Sequence, residues 1–369
     1  MSQYLIGRRI KALRKEKGLT QDGLTKLLGF NDRQTVSAIE TGTRRVTADE
    51  LVLVAEKFGE PLDYFTDSFR LVGEGCFSWR QTGAEVGQLN VYEQLAGSWI
   101  AAYRTLSNQI GQERPLLRYA LSLDRHARYE DAMQAGERFA SQFSLGKAPA
   151  LRLAEVMEND LGISVLMVDA PDNISGAACR LPDLDVALIA RHEVAARRHF
   201  NLAHELFHLL TWEAMPPKHI EEAESKTGNR IEQLANNFAA AVLMPSEILE
   251  QFGEWSDFDK KELIAHLNLV ADELHVTSSA LKWRLVALGK LKKTVADSLP
   301  QVELRNNGRN SIVEQDPPPL FSPSFMKVIG NAIEDGKVSV RRLARLFNMS
   351  VDDFSNLFTA QGLESPIFP

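Results

Sequence analysis

The spacing of apolar residues changes along the chain, and each change marks a different kind of element. Residues 2–66 carry a helical period interrupted by small residues, which predicts five short helices: IGRRIKALRKEKG, TQDGLTKLLGF, RQTVSAIETG, TADELVLVAEKFG and a last turn at PLDYF. Thr20 and Thr47 stand at N-cap positions, and Gly18, Gly29, Gly42 and Gly59 fall where helices end. Residues 67–87 hold four glycines and little period, so a linker or docking segment is expected there. Residues 88–112 and 115–145 predict helices. Leu95, Trp99, Ala102, Leu106 and Ile110 share one face, suited to a clamp between modules or to a dimer bridge. The runs ISVLMV, ISGAACRL and DVALIA are short and β-rich, separated by turn signals at Pro171-Asp172-Asn173 and Pro182-Asp183, and they predict a small sheet.

Helical spacing then returns. NLAHELFHLL is apolar nearly all round and should be buried. RIEQLANNFAAAVLMPSEIL places Ile231, Leu234, Ala235, Phe238, Ala239, Val242 and Leu243 at core spacing, with Pro245 as the stop. DKKELIAHLNLVADELHV and SSALKWRLVALGKL follow as helices, the second with Leu281, Leu285 and Leu288 at core spacing. NNGRN and the proline-containing EQDPPPLFSPS argue for an extended tether. The last run, FMKVIGNAIEDGKVSVRRLARLFNMSVDDFSNLF, reads as a small helical sensor or partner module broken at an Asp-Gly step.

The expected class is therefore mainly α with a small β-sheet. An all-α module spans 1–68, a linker and helical connector 69–148, an α+β unit 149–250, its helical extension 251–300, and a tether with a helical module 301–369. At 369 residues, 44% hydrophobic and 25% charged, the chain can hold two or three domains with full cores. No apolar run approaches membrane-spanning length, and no signal peptide precedes the basic first helix, so no membrane partner is expected. Cys76 and Cys179 give no disulfide framework, which points to a reducing cytoplasm.

Within the buried helix, His204, Glu205 and His208 form a His-Glu-x-x-His motif. Histidines four residues apart lie one above the other on a helix, so both imidazoles reach one ion. Glu205 beside that ion can take a proton from water and pass it to a leaving amine. The bland alternative is two satisfied core histidines around a chance glutamate. A catalytic zinc site needs a third protein ligand. Thr211 and Ala214 stand where the metzincin continuation requires Gly and His, which excludes that class. Glu232, beside the apolar stripe of the next helix and one turn before Asn236, can complete a two-His, one-Glu set. Glu221, Glu222 and Glu224 compete with it, although HIEEAES reads better as a solvated connection. A Cys76 thiolate reaching the ion would inhibit it, but an ordinary reduced cysteine is the commoner case.

Arg197, AHELFH, and the block from Glu232 to Pro245, preceded by the three β-rich runs, resemble the ImmA/IrrE family of metallopeptidases over roughly residues 150–250. The resemblance implies a zincin-like domain, one Zn²⁺ on His204, His208 and Glu232, and Glu205 as catalytic acid/base. The chain departs from the commoner pattern at His199, Asn201 and Phe207, where Arg, Thr and Gly are usual. None is an implied ligand, so these departures bear on substrate fit. The oxyanion donor stays unassigned, with His219, Tyr119 and Tyr129 as guesses.

Thr20-Gln21, Leu24, Leu27, Leu28, Val36, Ile39-Glu40 and Gly42 resemble the Cro/repressor (XRE) helix-turn-helix. That resemblance places residues 32–41 in the major groove. Arg33 and Gln34 are then base-contact candidates, Ser37 and Ala38 lie along the same face, and Gln21, Arg44 and Arg45 are phosphate candidates. Residues 1–45 hold ten basic against four acidic side chains, a charge of +6 in a chain of −7, so the remainder carries −13. A basic module on an acidic body suits DNA binding at one end, whereas a protein-binding helical bundle is the alternative. The combined expectation is a cytoplasmic, homodimeric, DNA-tethered zinc endopeptidase. It would cut a regulatory protein such as a helix-turn-helix repressor, in stress response, mobile-element or toxin-antitoxin control. Two other readings are a DNA-binding autoregulator or antitoxin with a non-catalytic peptidase fold, and a protein that cuts its own 67–87 segment.

Overall fold

The structure is a computed structural model that describes residues 3–73, 75–81, 83, 85–217, 229–255, 258–305 and 316–367. The five N-terminal helices are α1 (Gln3–Glu16), α2 (Gln21–Leu28), α3 (Arg33–Glu40), α4 (Ala48–Phe58) and α5 (Leu62–Thr66). Their ends follow the local chemistry. Thr20 Oγ1 accepts from the Gly23 amide at 3.0 Å, and Thr47 forms a capping box with Glu50. Gly29 and Gly59 close α2 and α4 at φ of 69° and 70°, where a side chain would be strained. Ile10, Leu13, Leu24, Val36, Ile39 and Phe65 build a core of their own. Gly7 lets α1 cross the end of α3, because a Cβ there would stand 1.9 Å from the Ile39 carbonyl oxygen.

The centre of the molecule is a four-stranded sheet in the order β1-β3-β4-β2. Its strands are β1 (Cys76–Gln81), β2 (Ser164–Val168), β3 (Ile174–Arg180) and β4 (Asp185–Ala190). β3 runs antiparallel to β1 and to β4, and β2 is parallel to β4. β2, β3 and β4 are the three β-rich runs of the sequence. β1 was expected to be linker; instead Phe77 and Trp79 pair with Cys179 and Ala177, and Ser78 and Arg80 with Ala178 and Gly176.

Alternation gives the sheet two different faces. Val165, Ala178, Ala187 and Ile189 face one core with α7 (Tyr129–Gln142), α8 (Pro149–Asn159), α9 (Ala195–Leu210) and α10 (Asn229–Leu243). The same core takes in α11 (Ser246–Glu250), α12 (Lys260–Glu273), α13 (Ser278–Ala287) and α14 (Lys293–Ser298). Leu166, Ala177, Val186 and Leu188 face a second core with α6 (Val86–Gln109), α15 (Pro323–Glu334), α16 (Val340–Leu346) and α17 (Val351–Ala360). Trp99, Ala102 and Leu106 of α6 lie in this core, so the apolar face of α6 binds the sheet and the C-terminal helices.

Two expectations are corrected. Residues 115–128 are not helical: Leu117 and Leu121 donate their amides to the Leu161 and Leu210 carbonyls, so distant backbone takes the bonds a helix would use. The tether reading fails for 316–322, where Phe321 is 2% exposed and its amide donates to Met167 at 2.7 Å. Residues 306–315 and HIEEAES lie outside the described residues. The N-terminal domain is also docked. Within it, Arg9 is fully buried and ties α1 to the end of α5, donating to the carbonyls of Tyr64 and Asp67 at 3.0 and 2.8 Å. Arg342 of α16 stacks on Phe69 and donates to Asp67 at 2.9 Å. Among the described residues no helix is long and apolar enough to cross a membrane.

Candidate metal centre

α9 is fixed at both ends. Near its start, Glu193 accepts from Ser175 on β3 at 2.7 Å and from Asn201 on α9 at 2.5 Å. At its end, Arg180 grips the buried Asp185 carboxylate and donates to the Leu209 carbonyl at 2.8 Å. Asn201 and Phe207, both departures from the family pattern, therefore act in packing. Asn201 ties α9 to Glu193, while Phe207 is fully buried with its ring centroid 5.5 Å from that of Phe238.

The Nε2 atoms of His204 and His208 stand 3.1 Å apart. Glu232, in the first turn of α10, brings Oε2 to 3.1 Å from His204 Nε2 and Oε1 to 3.5 Å from His208 Nε2. A tetrahedral zinc with bonds of about 2.0–2.1 Å spaces its ligand atoms about 3.3–3.4 Å apart. The three contacts bracket that spacing, and among the described residues these are the only three such side chains whose ligand atoms gather this way. His204 Nδ1 lies 3.0 Å from Asn236 Oδ1, so Nδ1 carries the proton and the Nε2 lone pair faces the centre. Burial, and next the Arg80 cation, hold His204 well below the usual histidine range. Burial, followed by the neighbouring His204 imidazole, pushes His208 down to about 3. Both imidazoles are thus neutral, as a metal requires. Two lone pairs and a carboxylate converging in a largely buried space fit a divalent cation, and the donor set suits zinc.

Glu205 is fully buried and neither of its carboxylate oxygens has a hydrogen-bond partner. Burial raises its pKa well above the carboxylate range. Arg80 opposes the shift, Glu232 adds to it, and the Ala178 main chain opposes it without closing a hydrogen bond of normal geometry. A carboxyl placed beside a bound water can take a proton from it and return that proton to a leaving group. Gly176 lies beneath Glu205: a Cβ there would clash with the Leu188 oxygen at 2.8 Å and would just touch Glu205 Cγ at 3.5 Å.

The N-terminal candidates divide. Arg33, Gln34 and Arg45 are exposed, and Ser37 and Ala38 are half-buried on the same helix. Gln21 is drawn inward, donating to Glu40 at 2.9 Å and accepting from Arg33 Nε at 3.0 Å. Arg44 is held by Glu50 through contacts of 3.1 and 2.7 Å. The buried Arg14–Glu40 pair, at 2.5 Å, escaped the sequence reading and anchors this network.

Residues 10–65 match the helix-turn-helix family model, and residues 158–286 match that of the IrrE N-terminal-like domain, Peptidase_M78. The chain carries both domains. It is 26% identical over 294 residues to the HTH-type transcriptional regulator PrpR of Mycobacterium tuberculosis, a stretch covering 70% of this chain and 60% of that protein. A Mycobacterium tuberculosis transcriptional regulator of known structure aligns at 21% identity over 50% of this chain and 51% of its own, with a TM-score of 0.31. The apo competence regulator ComR of Streptococcus vestibularis aligns at 13% identity over 91% and 99% of the two chains, with a TM-score of 0.17. These overlaps are too weak to relate the folds.

Around the IrrE-like centre, several expected contributors are engaged elsewhere. Tyr119 donates to Gln142 at 2.9 Å and Tyr129 donates to Gln233, while His219, Glu221, Glu222 and Glu224 lie outside the described residues. Cys76 stands opposite Arg180, four residues before Arg80, and is not among the gathered ligand atoms. A cavity of ≈ 370 Å³ opens between α9, α10 and α13, walled by Phe200, Ala240, Ala280 and Trp283 with Asn236 and Asn237. Because Asn236 also bonds His204, this space adjoins the centre. Arg80, absent from the sequence reading, carries charge into the site from β1. Its trace in the sequence was the aromatic alternation of CFSWRQ.

Proposed function

We propose that this chain is a DNA-binding regulator whose IrrE-like domain is a zinc endopeptidase that cuts a regulatory protein. The observation that carries this reading is the meeting of three neutral-or-anionic ligand atoms with a buried glutamate whose oxygens are unpartnered. Bound there, zinc would supply Lewis acidity toward the scissile carbonyl and the attacking water. Glu205 receives the water proton and returns it to the leaving nitrogen. Asn236 keeps the His204 lone pair aimed at the ion. β1 is an edge strand, so an extended peptide can add beside it by backbone pairing. Arg33 and Gln34 read base edges, Arg45 binds phosphate, and two copies read paired half-sites.

The test compares new protein N-termini in cells expressing wild-type or Glu205→Gln protein, with and without stress. A cut made only by wild type identifies the substrate, and a cut within 67–87 makes the chain its own substrate. The similarity to PrpR favours a second reading, a DNA-binding regulator whose peptidase fold holds a ligand or partner without proteolysis. Equal N-termini from both proteins, under conditions where operator binding changes, would select it.

A further inference from the structure

β1 lies outside the IrrE-like match of 158–286, yet it borders β3, whose Gly176 and Ala178 lie against Glu205. Its residues alternate between two tasks. Phe77 and Trp79 face α6, where their rings stack at 5.2 Å and Trp79 Nε1 donates to Glu93 at 2.7 Å, so the strand is firmly held. Arg80 points the other way, paired in register with Gly176, beside which Glu205 lies. The guanidinium sits over the Phe200 ring, 5.6 Å from its centroid, which sets its plane. Nη1 is shielded from solvent and has no hydrogen-bond partner. Glu205, Glu232 and Glu193 are the carboxylates acting on it, although none forms an ion pair with it. A solvent-shielded donor and a buried acceptor, both unpartnered, thus lie on the α9 side of the sheet, the side that carries the metal ligands. Leaving each unsatisfied is costly, and a ligand group between them would recover that cost.

We propose that Arg80 is a catalytic residue whose Nη1–H donates to the carbonyl oxygen of the scissile peptide, an inference that rests on the peptidase reading. As the water oxygen bonds to the carbonyl carbon, Glu205 takes one water proton and the carbonyl π pair moves onto oxygen, where Arg80 meets the charge. When that pair re-forms the C=O bond, the C–N bond breaks and Glu205 gives its proton to the leaving nitrogen. The strand leading from the DNA-binding domain therefore completes the active site.

Arg80→Gln and Arg80→Lys test this in the full chain, with Arg80→Met as the variant that keeps the stem on Phe200 should the glutamine fail to fold. Turnover of the protein cut by wild type should fall on the order of 10²–10³-fold in kcat with KM nearly unchanged. Lysine, which keeps the charge but not the fork, should recover part of the loss. Inorganic phosphate, a tetrahedral oxyanion, gives a readout without turnover: zinc-loaded wild type should bind it roughly tenfold more tightly than Arg80→Gln. Equal phosphate binding by wild type and a folded Arg80→Gln protein overturns the proposal, as does an unchanged kcat. Weaker phosphate binding by Arg80→Gln, beside a wild type that cuts nothing, would keep Arg80 as an anion donor and sink the peptidase reading instead.

Discussion

The candidate metal centre and the proposed DNA-reading face use charge in opposite ways. At the centre, His204, Glu205 and His208 are buried with few or no protein partners of their own, so their cost is recovered only by a ligand. On the side proposed to meet DNA, Gln21 is bonded to Glu40 and Arg44 to Glu50, while Gln34 and Arg45 are exposed and Arg33 is exposed with only its Nε held, by Gln21. Polar groups buried without partners mark chemistry, whereas exposed cations mark it only when nothing nearby claims them.

Glu205→Gln separates the two regions most sharply. It should lower turnover by roughly 10²–10⁴-fold while zinc analysis still finds one ion and operator binding is unchanged. Loss of zinc in that variant would mean the carboxylate is structural. Next in size, Glu40→Ala strands Arg14 in the N-terminal core and should destabilise that domain by about 3 kcal/mol, read by denaturant unfolding. A zinc affinity that falls with it would show that the regions are not independent. Asn236→Ala should weaken zinc binding about 10–100-fold, measured by competition with a chelator, because the His204 tautomer is no longer held. Arg33→Ala and Gln34→Ala should each cost about 1–3 kcal/mol of operator discrimination at fixed salt. Arg44→Ala should cost less if its Glu50 pair is kept on DNA.

The smallest effect concerns pH. The Arg44 hydrogen bond holds the Glu50 carboxyl below its usual range, with burial opposing. A carboxylate with a depressed folded pKa adds stability above its unfolded value and loses it as pH falls through the folded one. Glu50→Gln should therefore lower stability by about 1 kcal/mol at pH 7, a figure kept small because the pair is partly exposed. That difference should vanish in thermal melts taken below the folded pKa.

Sequence alone determined what depends on near neighbours. Thr20, Thr47 and the glycines set the ends of the N-terminal helices because a cap acts within one turn. The imidazoles of His204 and His208 share a face because four residues is close to one helical turn, and the apolar stripe around Glu232 placed it on the facing helix. Tertiary structure decided what depends on distant partners. CFSWRQ became a strand because β3 offered it an edge, and 115–128 stayed irregular because Leu161 and Leu210 took its amides. Arg80 entered the site only because β1 lies opposite Gly176, and no local pattern can encode a register between residues so far apart in the chain.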